Sequence, residues 1–340
     1  MKKVILIMAA VLLIFASGCK KSENTEKKKE VKKPAVTETE EIKNDDFYEM
    51  MLTDSRPVAV MIDNDTDKSR PQMGLESAYM VYEITVEGGA TRFMALFKEH
   101  TLEKVGPVRS SRHYFLDYAL EHDAIYCHAG WSPQASRDIS ALGVNNINGI
   151  LGGDGSIYWR DNTYDKSWHN LYTGVDKLYD YGVTKKGYRG TTEVKHNNYN
   201  TNDIIPSEGE NAAEINIPYA NFYKVMYKYD DAKKVYNRYV NGKEHMSQTG
   251  NCLTAKNIII YHIKNYNLND GENKGRQNIE NIGSGTGYYI TDGKKISINW
   301  SKPSRSAKTV YTLTDGTELV LNPGNTYIQI VPLNKEVKIN

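Results

Sequence analysis

The sequence has few cysteines and almost no net charge, and each shortage excludes a class of protein. The 340 residues include 3 cysteines, at Cys19, Cys127 and Cys252. Cysteines this few and this far apart do not predict a disulfide framework or a thiolate zinc cluster. The formal net charge is only +1, so a strongly basic surface for binding nucleic acid is not expected.

Familiar catalytic and nucleotide-binding motifs are also missing. The glycine-rich stretch at 283–287 is not a phosphate loop, because neither Gly-Lys-Ser/Thr nor a predicted helix follows it. The sequence contains no G-x-S-x-G nucleophile elbow and no H-E-x-x-H metal motif. The sequence therefore does not specify a reaction.

One long apolar run is present, and it lies at the N-terminus. Two lysines precede the run at 4–15, which is too short to span a bilayer as a lasting helix and has the form of a secretory signal. The sequence ASGC at 16–19 resembles a bacterial lipobox, which predicts cleavage before Cys19 and lipid on its thiol. An uncleaved anchor helix is the alternative. We expect a lipoprotein at the outer face of the cell membrane.

The predicted domain organisation follows changes in composition along the chain. Blocks of lysine and then of acidic residues follow Cys19, with few apolar residues to bury, which is typical of a disordered tether. A second polar stretch divides the rest of the chain. The predicted parts are a signal peptide (1–18), a lipidated cysteine and charged tether (19–54), an N-terminal domain (55–198), a linker (199–215) and a C-terminal domain (216–340).

The predicted fold class is α+β. In the N-terminal domain, four apolar runs have the length of strands, and they are 57–63, 78–87, 91–97 and 124–130. Ser110 and the Ser132-Pro133 pair predict the starts of two helices. This order indicates a layered α/β-type domain with a mixed sheet. The C-terminal domain, with alternating segments and DG, NG and PG turns, reads as β-rich.

Several phrases resemble the YerB-like bacterial lipoproteins. Those in the N-terminal domain are RPVAVMIDN, RPQMGLESA, VYEITVEGGATRFMALF, VGPVRSSRHYF, IYCHAGWSPQA and WHNLYT. The C-terminal phrases include GYYITDGKKISINW and LVLNPGNTYIQIVP. The resemblance covers about 55–333 and implies a two-domain lipoprotein. It implies no catalytic residues, since no activity is established for the family.

The first candidate site lies in the predicted hairpin at 78–97. With a two-residue turn at Gly88-Gly89, Glu83, Glu87 and Arg92 share one strand face. The two glutamates would then stand roughly 13 Å apart along the strand, which exceeds the spacing of about 5–9.5 Å in glycosidase acid pairs. A catalytic pair is therefore rejected. An ion pair between glutamate and arginine across the strands is the structural alternative.

Arg109 and Arg112 form the second candidate site. They flank two serines at a predicted helix start, where free N–H groups and the helix dipole already favour an anion. Guanidinium groups placed there suit a phosphate or a carboxylate. Pairing with Glu83 or Glu87 is the alternative explanation.

Polar residues at predicted strand ends complete the candidate site. Asp63 and Asn64 end one apolar strand, and His128 ends another. In open α/β sheets ligands bind beyond the carboxyl ends of parallel strands. Asp63 is a candidate for holding a divalent cation, and no other cofactor is expected. His128 and Glu83 are candidate proton-transfer groups, although a lone histidine at a strand end is more often structural.

Two glycine- and aromatic-rich loops extend the candidate ligand site. Arg160 follows the first, and His169 and Asn170 lie in the second. Both loops could line the same cleft, and ordinary surface turns are the alternative.

Two hypotheses of function follow. The first is a lipid-anchored envelope protein, without enzymatic activity, that binds a cell-wall polymer or a protein partner through a carboxylate–arginine cleft. The alternative is a phosphotransferase or hydrolase acting on an anionic, phosphate-containing envelope substrate. The enzymatic alternative rests on a segment order similar to that of LytR-Cps-Psr wall-polymer ligases, which is an analogy of fold alone. Whether the chain is an enzyme stays open. The expected partners are the membrane, through the lipid, and an envelope component.

Overall fold

The computed structural model describes residues 37–38, 45–195 and 198–340. The predicted signal peptide, lipobox and Cys19 lie outside the described residues. The helices are α1 (Asp45–Leu52), α2 (His113–Glu121), α3 (Pro133–Ala141) and α4 (Val175–Thr184).

The strands are short and numerous, as predicted for the C-terminal half. The first eight are β1 (Thr37–Glu38), β2 (Val58–Asn64), β3 (Met80–Thr85), β4 (Thr91–Phe97), β5 (Ile125–His128), β6 (Asn146–Asn148), β7 (Trp159–Arg160) and β8 (Leu171–Tyr172). The next eight are β9 (Ile204–Ile205), β10 (Glu210–Asn211), β11 (Glu214–Ala220), β12 (Tyr223–Asp230), β13 (Val235–Val240), β14 (Lys243–Glu244), β15 (Thr254–Ala255) and β16 (Asn257–Ile263). The last are β17 (Asn265–Asn267), β18 (Gln277–Ile279), β19 (Gly283–Thr291), β20 (Lys294–Lys302), β21 (Val310–Leu313), β22 (Thr326–Pro332) and β23 (Lys338–Ile339).

An 11-stranded mixed sheet is the centre of the fold, in the order β10-β20-β19-β16-β22-β3-β4-β2-β5-β6, with β21 beside β20. Strand β22 pairs in parallel with β3 on one side and β16 on the other. All seven of its residues are buried, as expected for the apolar run TYIQIVP at the centre of a sheet. The two segments predicted as domains therefore share one sheet.

Alternation along the strands divides the core between the two faces of this sheet. Val58, Val60 and Ile62 belong to the cluster that includes residues of the smaller sheet and of α4. That smaller, 6-stranded sheet has the order β14-β13-β12-β11-β23, with β15 beside β13. Ala59 and Met61 belong to the opposite cluster, which includes residues of α2. The α+β prediction is confirmed.

The hairpin between β3 and β4 differs from the prediction, and the difference changes the sheet face on which Arg92 lies. Thr85 pairs with Thr91, and Ile84 pairs with Arg92, so the connection is 86–90 rather than two residues. Gly88 and Gly89 both take positive φ, at 67° and 83°, and Val86 N donates to Ala90 O at 2.7 Å to close the longer loop. Arg92 therefore lies on the sheet face opposite Glu83.

Helix α2 also begins later than predicted. It starts at His113 with Arg112 at the N-cap position and no side-chain cap. Ser110 does not cap it, because Ser110 Oγ donates to Ala129 O at 2.9 Å. The helix predicted from Ser132-Pro133 is confirmed, with Ser132 Oγ accepting from Ala135 N.

Two segments predicted to be polar connections contain regular structure. Helix α1 lies within the predicted tether, so that prediction is wrong for these residues. Met51 of α1 is buried, and the ring of Phe47 packs edge-on against Tyr199 at 5.3 Å. The predicted linker contains β9 and β10, and β10 pairs with β20 at the edge of the large sheet.

Candidate functional site

The site is built around the end of β2, where polar residues replace the apolar run. Asp63 pairs with Arg92 on β4 and points to the α2 face, while Asn64 pairs with Thr91 and points to the other face. Consecutive side chains on a strand alternate between faces. The two polar residues at this strand end therefore belong to two different networks.

The first network is the aspartate–arginine cluster, defined as Asp63, Asp65, Arg92, Arg109 and His169. Arg92 Nη2 donates to both carboxylate oxygens of Asp65, at 2.9 and 3.1 Å. Arg109 Nε and Nη2 donate to Asp65 Oδ2 at 3.2 and 3.1 Å. The Asp65 carboxylate thus binds two guanidinium groups through charge-assisted hydrogen bonds, which are stronger than hydrogen bonds between neutral groups.

Asp63 holds the histidine of this cluster. Its Oδ2 lies 2.6 Å from His169 Nδ1 and 3.3 Å from Arg109 Nε, and its Oδ1 accepts from Asp65 N at 3.0 Å. Burial alone would raise the pKa of Asp63, but the His169 hydrogen bond and the arginine charges outweigh it, so the pKa lies below its usual value. His169 Nε2 accepts from Trp168 Nε1 at 2.8 Å, so Nδ1 is the ring nitrogen that donates to Asp63.

Arg92 is the most buried cation of the cluster, with a side chain 2% exposed. Burial lowers its pKa, but the charges of Asp65, Asp63 and Glu87 raise it more. Nη1 donates to Ser110 O at 2.7 Å. This arginine is therefore fixed by the protein itself on two sides.

Arg112 has a partner of its own. Its Nε and Nη2 donate to the two carboxylate oxygens of Glu87, at 2.5 and 2.8 Å. Burial would raise the pKa of Glu87, but the hydrogen bond and charge of Arg112 hold it below its usual value. The alternative explanation for Arg112, pairing with a glutamate, is the one that the structure shows.

The second network lies between the two sheets and is called here the Glu83–Arg238 network. Glu83 Oε2 accepts from Arg238 Nη2 at 2.8 Å, and neither side chain is exposed to solvent. Glu83 Oε1 accepts from Thr91 at 2.8 Å and from Tyr223 at 2.6 Å. Asn64 Nδ2 joins it by donating to Tyr223 and Thr91 at 2.5 and 2.7 Å. Glu83 is thus a buried structural group.

His128 lies in neither network. Its Nδ1 contacts Gly130 O at 2.8 Å and its Nε2 contacts Asn146 Oδ1 at 3.2 Å. Burial lowers its pKa despite these hydrogen bonds. It is held in the way expected of a structural histidine.

The candidate residues of the two predicted loops also have different partners. His169 reaches the aspartate–arginine cluster, whereas Arg160 Nη1 donates to Asn170 Oδ1 at 2.5 Å. Asn170 Nδ2 in turn donates to Asn162 at 2.6 Å. Arg160 and Asn170 therefore stabilise the β7–β8 hairpin that presents Trp168 and His169.

The predicted residues do not meet in one cleft. The structure brings together Asp63, Arg92, Arg109 and His169, pairs Glu87 with Arg112, and places Asn64 and Glu83 on the other face of the sheet. The enzymatic arrangement that required Asp63, Glu83, Arg109, Arg112 and His128 in one cleft is therefore wrong, because strand alternation and burial separate them.

Sequence reasoning missed two important residues. Asp65 is two positions beyond Asp63, and its place directly after the strand end is the signal that indicates it. Arg238 is flanked on its strand face by Tyr236 and Val240, and a charge on a buried face indicates a buried partner. Trp168, in the predicted loop that also contains His169 and Asn170, has its ring centroid 5.8 Å from Arg109 Cζ.

Metal binding and membrane crossing find no support in the described residues. No group of three or more His, Cys, Asp or Glu side chains there is arranged to hold a metal ion. The carboxylate of Asp63, the cation candidate, already bonds His169. Within the same described ranges, no helix is both long and apolar enough to cross a membrane.

Comparison with known proteins gives the family. The model of the N-terminal domain of the protein of unknown function DUF3048 matches residues 48–189, and that of its C-terminal domain matches residues 215–328. The chain belongs to the DUF3048 family. It is 32% identical over 286 residues to YerB of Bacillus subtilis (strain 168), a candidate lipoprotein by its name, covering 84% of this chain and 83% of YerB. A crystal structure of Bacillus subtilis YerB superposes with a TM-score of 0.73 at 29% identity, covering 91% of this chain and 100% of that one. The resemblance to YerB-like proteins is confirmed.

Proposed function

We propose that this protein is a lipid-anchored protein at the outer face of the cell membrane that binds a protein partner of the envelope. The ASGC sequence at 16–19 and the lipoprotein name of its relative YerB support the anchor. The binding surface is the partner face, defined as Arg109, Ile150, Leu151, Tyr164 and Trp168.

Exposed apolar side chains carry this proposal. Trp168 is 66% exposed, Ile150 62%, Tyr164 48% and Leu151 45%. Trp168 lies against Arg109, and Ile150 lies near Ser110, the next residue along the chain. Large apolar side chains exposed as one patch mark interaction sites more often than scattered single ones. Trp, Tyr and Arg are also the residues that dominate binding energy at protein interfaces.

The aspartate–arginine cluster supports this surface from below. Arg109, with a side chain 24% exposed, stacks under Trp168 while Asp65 holds its guanidinium. A Cβ atom at Gly130 would lie 3.5 Å from Ile150 Cδ1 and 3.1 Å from Ser110 Oγ, so Ile150 lies beside the residue that follows Arg109. A fixed base lowers the entropy cost of ordering the exposed side chains on binding.

A protein partner fits this face better than a wall polymer. Sugar rings stack on aromatic rings, but the branched side chains of Ile150 and Leu151 give them no flat surface. An anionic polymer would need free guanidinium donors, and the Nε and Nη2 donors of Arg109 and Arg112 are held by Asp65 and Glu87.

The alternative function, a hydrolase or phosphotransferase, rests on the Asp63–His169 pair. A carboxylate that fixes Nδ1 of a histidine leaves Nε2 free to act as a general base. Here Nε2 accepts the indole N–H of Trp168 instead, and His169 is only 5% exposed. Loss of phosphate-ester hydrolysis in a His169→Asn variant, with normal folding, would support catalysis over binding.

Site-specific photo-crosslinking in the native host tests the proposed function. The full chain would carry p-benzoylphenylalanine in place of Leu151, and a control would carry it in place of Val320, which is 38% exposed. We expect a discrete adduct with one envelope protein from position 151 alone. Equal adducts from both positions, no adduct, or an adduct with polymer alone would contradict the proposal.

A further inference from the structure

A groove lined by aromatic rings and side-chain amides lies at the tip of the β3–β4 hairpin. Four segments form it: the 86–90 loop, the turn between β11 and β12, the β17–β18 hairpin and the turn after β22. A Cβ atom at Gly89 would lie 3.3 Å from Ala220 Cβ and 3.9 Å from the Phe222 ring, so glycine permits this close approach. We call it the hairpin groove. None of its lining residues belongs to the partner face.

Two exposed rings stand in the hairpin groove. Phe222 is 56% exposed and Tyr266 is 44% exposed. The Tyr266 hydroxyl accepts from Asn278 Nδ2 at 2.6 Å, which orients the ring, and Lys264 Nζ lies 5.8 Å from the ring centroid. Exposed rings in a concave site offer flat apolar faces to a ligand.

The polar groups of the groove are amides rather than charges. Asn265, Asn267 and Gln277 are joined to one another by hydrogen bonds. The side chains of Asn221 and Asn334, also in the lining, are exposed and make no hydrogen bond within the described residues. Amides both donate and accept, which suits hydroxyl groups. Of the described lining residues, Lys335 alone carries a charge, so the groove fits a neutral ligand.

Thr85 is an independent sign of a ligand. It lines the groove and is only 5% exposed. Its Oγ1 has no hydrogen-bond partner among the described residues. A buried hydroxyl without a partner destabilises the fold, and a hydrogen bond to a ligand hydroxyl would offset part of that loss.

We propose that the hairpin groove binds a neutral glycan chain. The C–H faces of sugar rings would stack on Phe222 and Tyr266, and the hydroxyl groups at their edges would bond Asn221, Asn334 and Thr85. This site is separate from the partner face, so either proposal can fail while the other stands.

Titration calorimetry of the full chain tests the glycan site. The neutral probes are a tetramer of N-acetylglucosamine and maltotetraose, and dextran sulfate is the charged probe. We expect at least one neutral probe to bind and dextran sulfate not to bind at the groove. Phe222→Ala and Tyr266→Ala should each raise Kd about threefold to tenfold.

Thr85→Val separates ligand binding from folding. Because Oγ1 has no protein partner, the variant should unfold at the same temperature as the parent or higher, yet bind the probe more weakly. Trp168→Ala, on the partner face, is the control and should leave Kd unchanged. The proposal is overturned if neither neutral probe binds, if the Phe222→Ala and Tyr266→Ala variants bind like the parent, or if Trp168→Ala alone abolishes binding.

Discussion

The Glu83–Arg238 pair gives the sharpest test of how the two family segments are held together. Glu83 lies on β3 of the large sheet and Arg238 on β13 of the smaller one, 2.8 Å apart and both 0% exposed. Removing one partner of a buried ion pair leaves a buried charge uncompensated and costs about 3–5 kcal/mol. We therefore expect Glu83→Gln and Arg238→Met each to lose that much free energy of unfolding. At roughly 2 °C per kcal/mol for a chain of this size, Tm should fall by about 6–10 °C.

The double variant measures the interaction itself. Because each single variant already breaks the pair, Glu83→Gln with Arg238→Met should cost less than the sum of the two, by about 1–3 kcal/mol. Urea unfolding followed by tryptophan fluorescence and by circular dichroism measures both quantities. Losses below about 1 kcal/mol in the single variants, or effects that simply add, would refute this role of the ion pair.

Three further predictions concern charge, pH and anchoring. Phosphate should not raise the Tm of the parent or of an Arg109→Ala, Arg112→Ala double variant, because carboxylates hold both guanidinium groups. A rise in Tm with phosphate concentration that occurs only in the parent would instead support the anion site. Burial lowers the pKa of His100 to about 4, so the unfolded chain gains a proton between pH 6.5 and 4 that the folded chain does not, and stability falls as the pH falls. His100→Gln should flatten that slope in urea unfolding at several pH values, and an unchanged slope would refute the assignment. Cys19→Ala should move the protein out of the membrane fraction of its host, and full retention there would contradict lipid anchoring.

Much of the fold follows from local sequence, and its long-range pairing does not. The apolar runs at 57–63 and 91–97 predict β2 and β4 because seven consecutive buried residues leave a clear pattern. Nothing local in 326–332 indicates that this strand pairs with β3, more than two hundred positions earlier. Periodicity records which side chains are buried, but not which strand lies beside them.

In the candidate site, too, the sequence predicts where a residue lies along a strand but not which residue it contacts. The strand-end rule led to Asp63, but the face occupied by Arg92 depended on the length of the loop between β3 and β4. A hairpin of 86–90 instead of 88–89 reverses the face of every residue after it, because strand side chains alternate. The partners of Glu83 and Arg112 likewise depended on contacts that spacing cannot give, one with Arg238 and one with Glu87.

The measurement that tests the central claim most directly is the crosslinking yield from position 151 in a variant of the partner face. Trp168 and Tyr164 are both replaced by alanine, and a Phe222→Ala variant, altered at an equally exposed ring outside this face, is the matched control. If the partner face binds an envelope protein, the adduct should fall about tenfold or more in the double variant, as expected when two interface aromatic residues are lost, and persist in the control. An adduct of unchanged yield in the double variant would contradict the account.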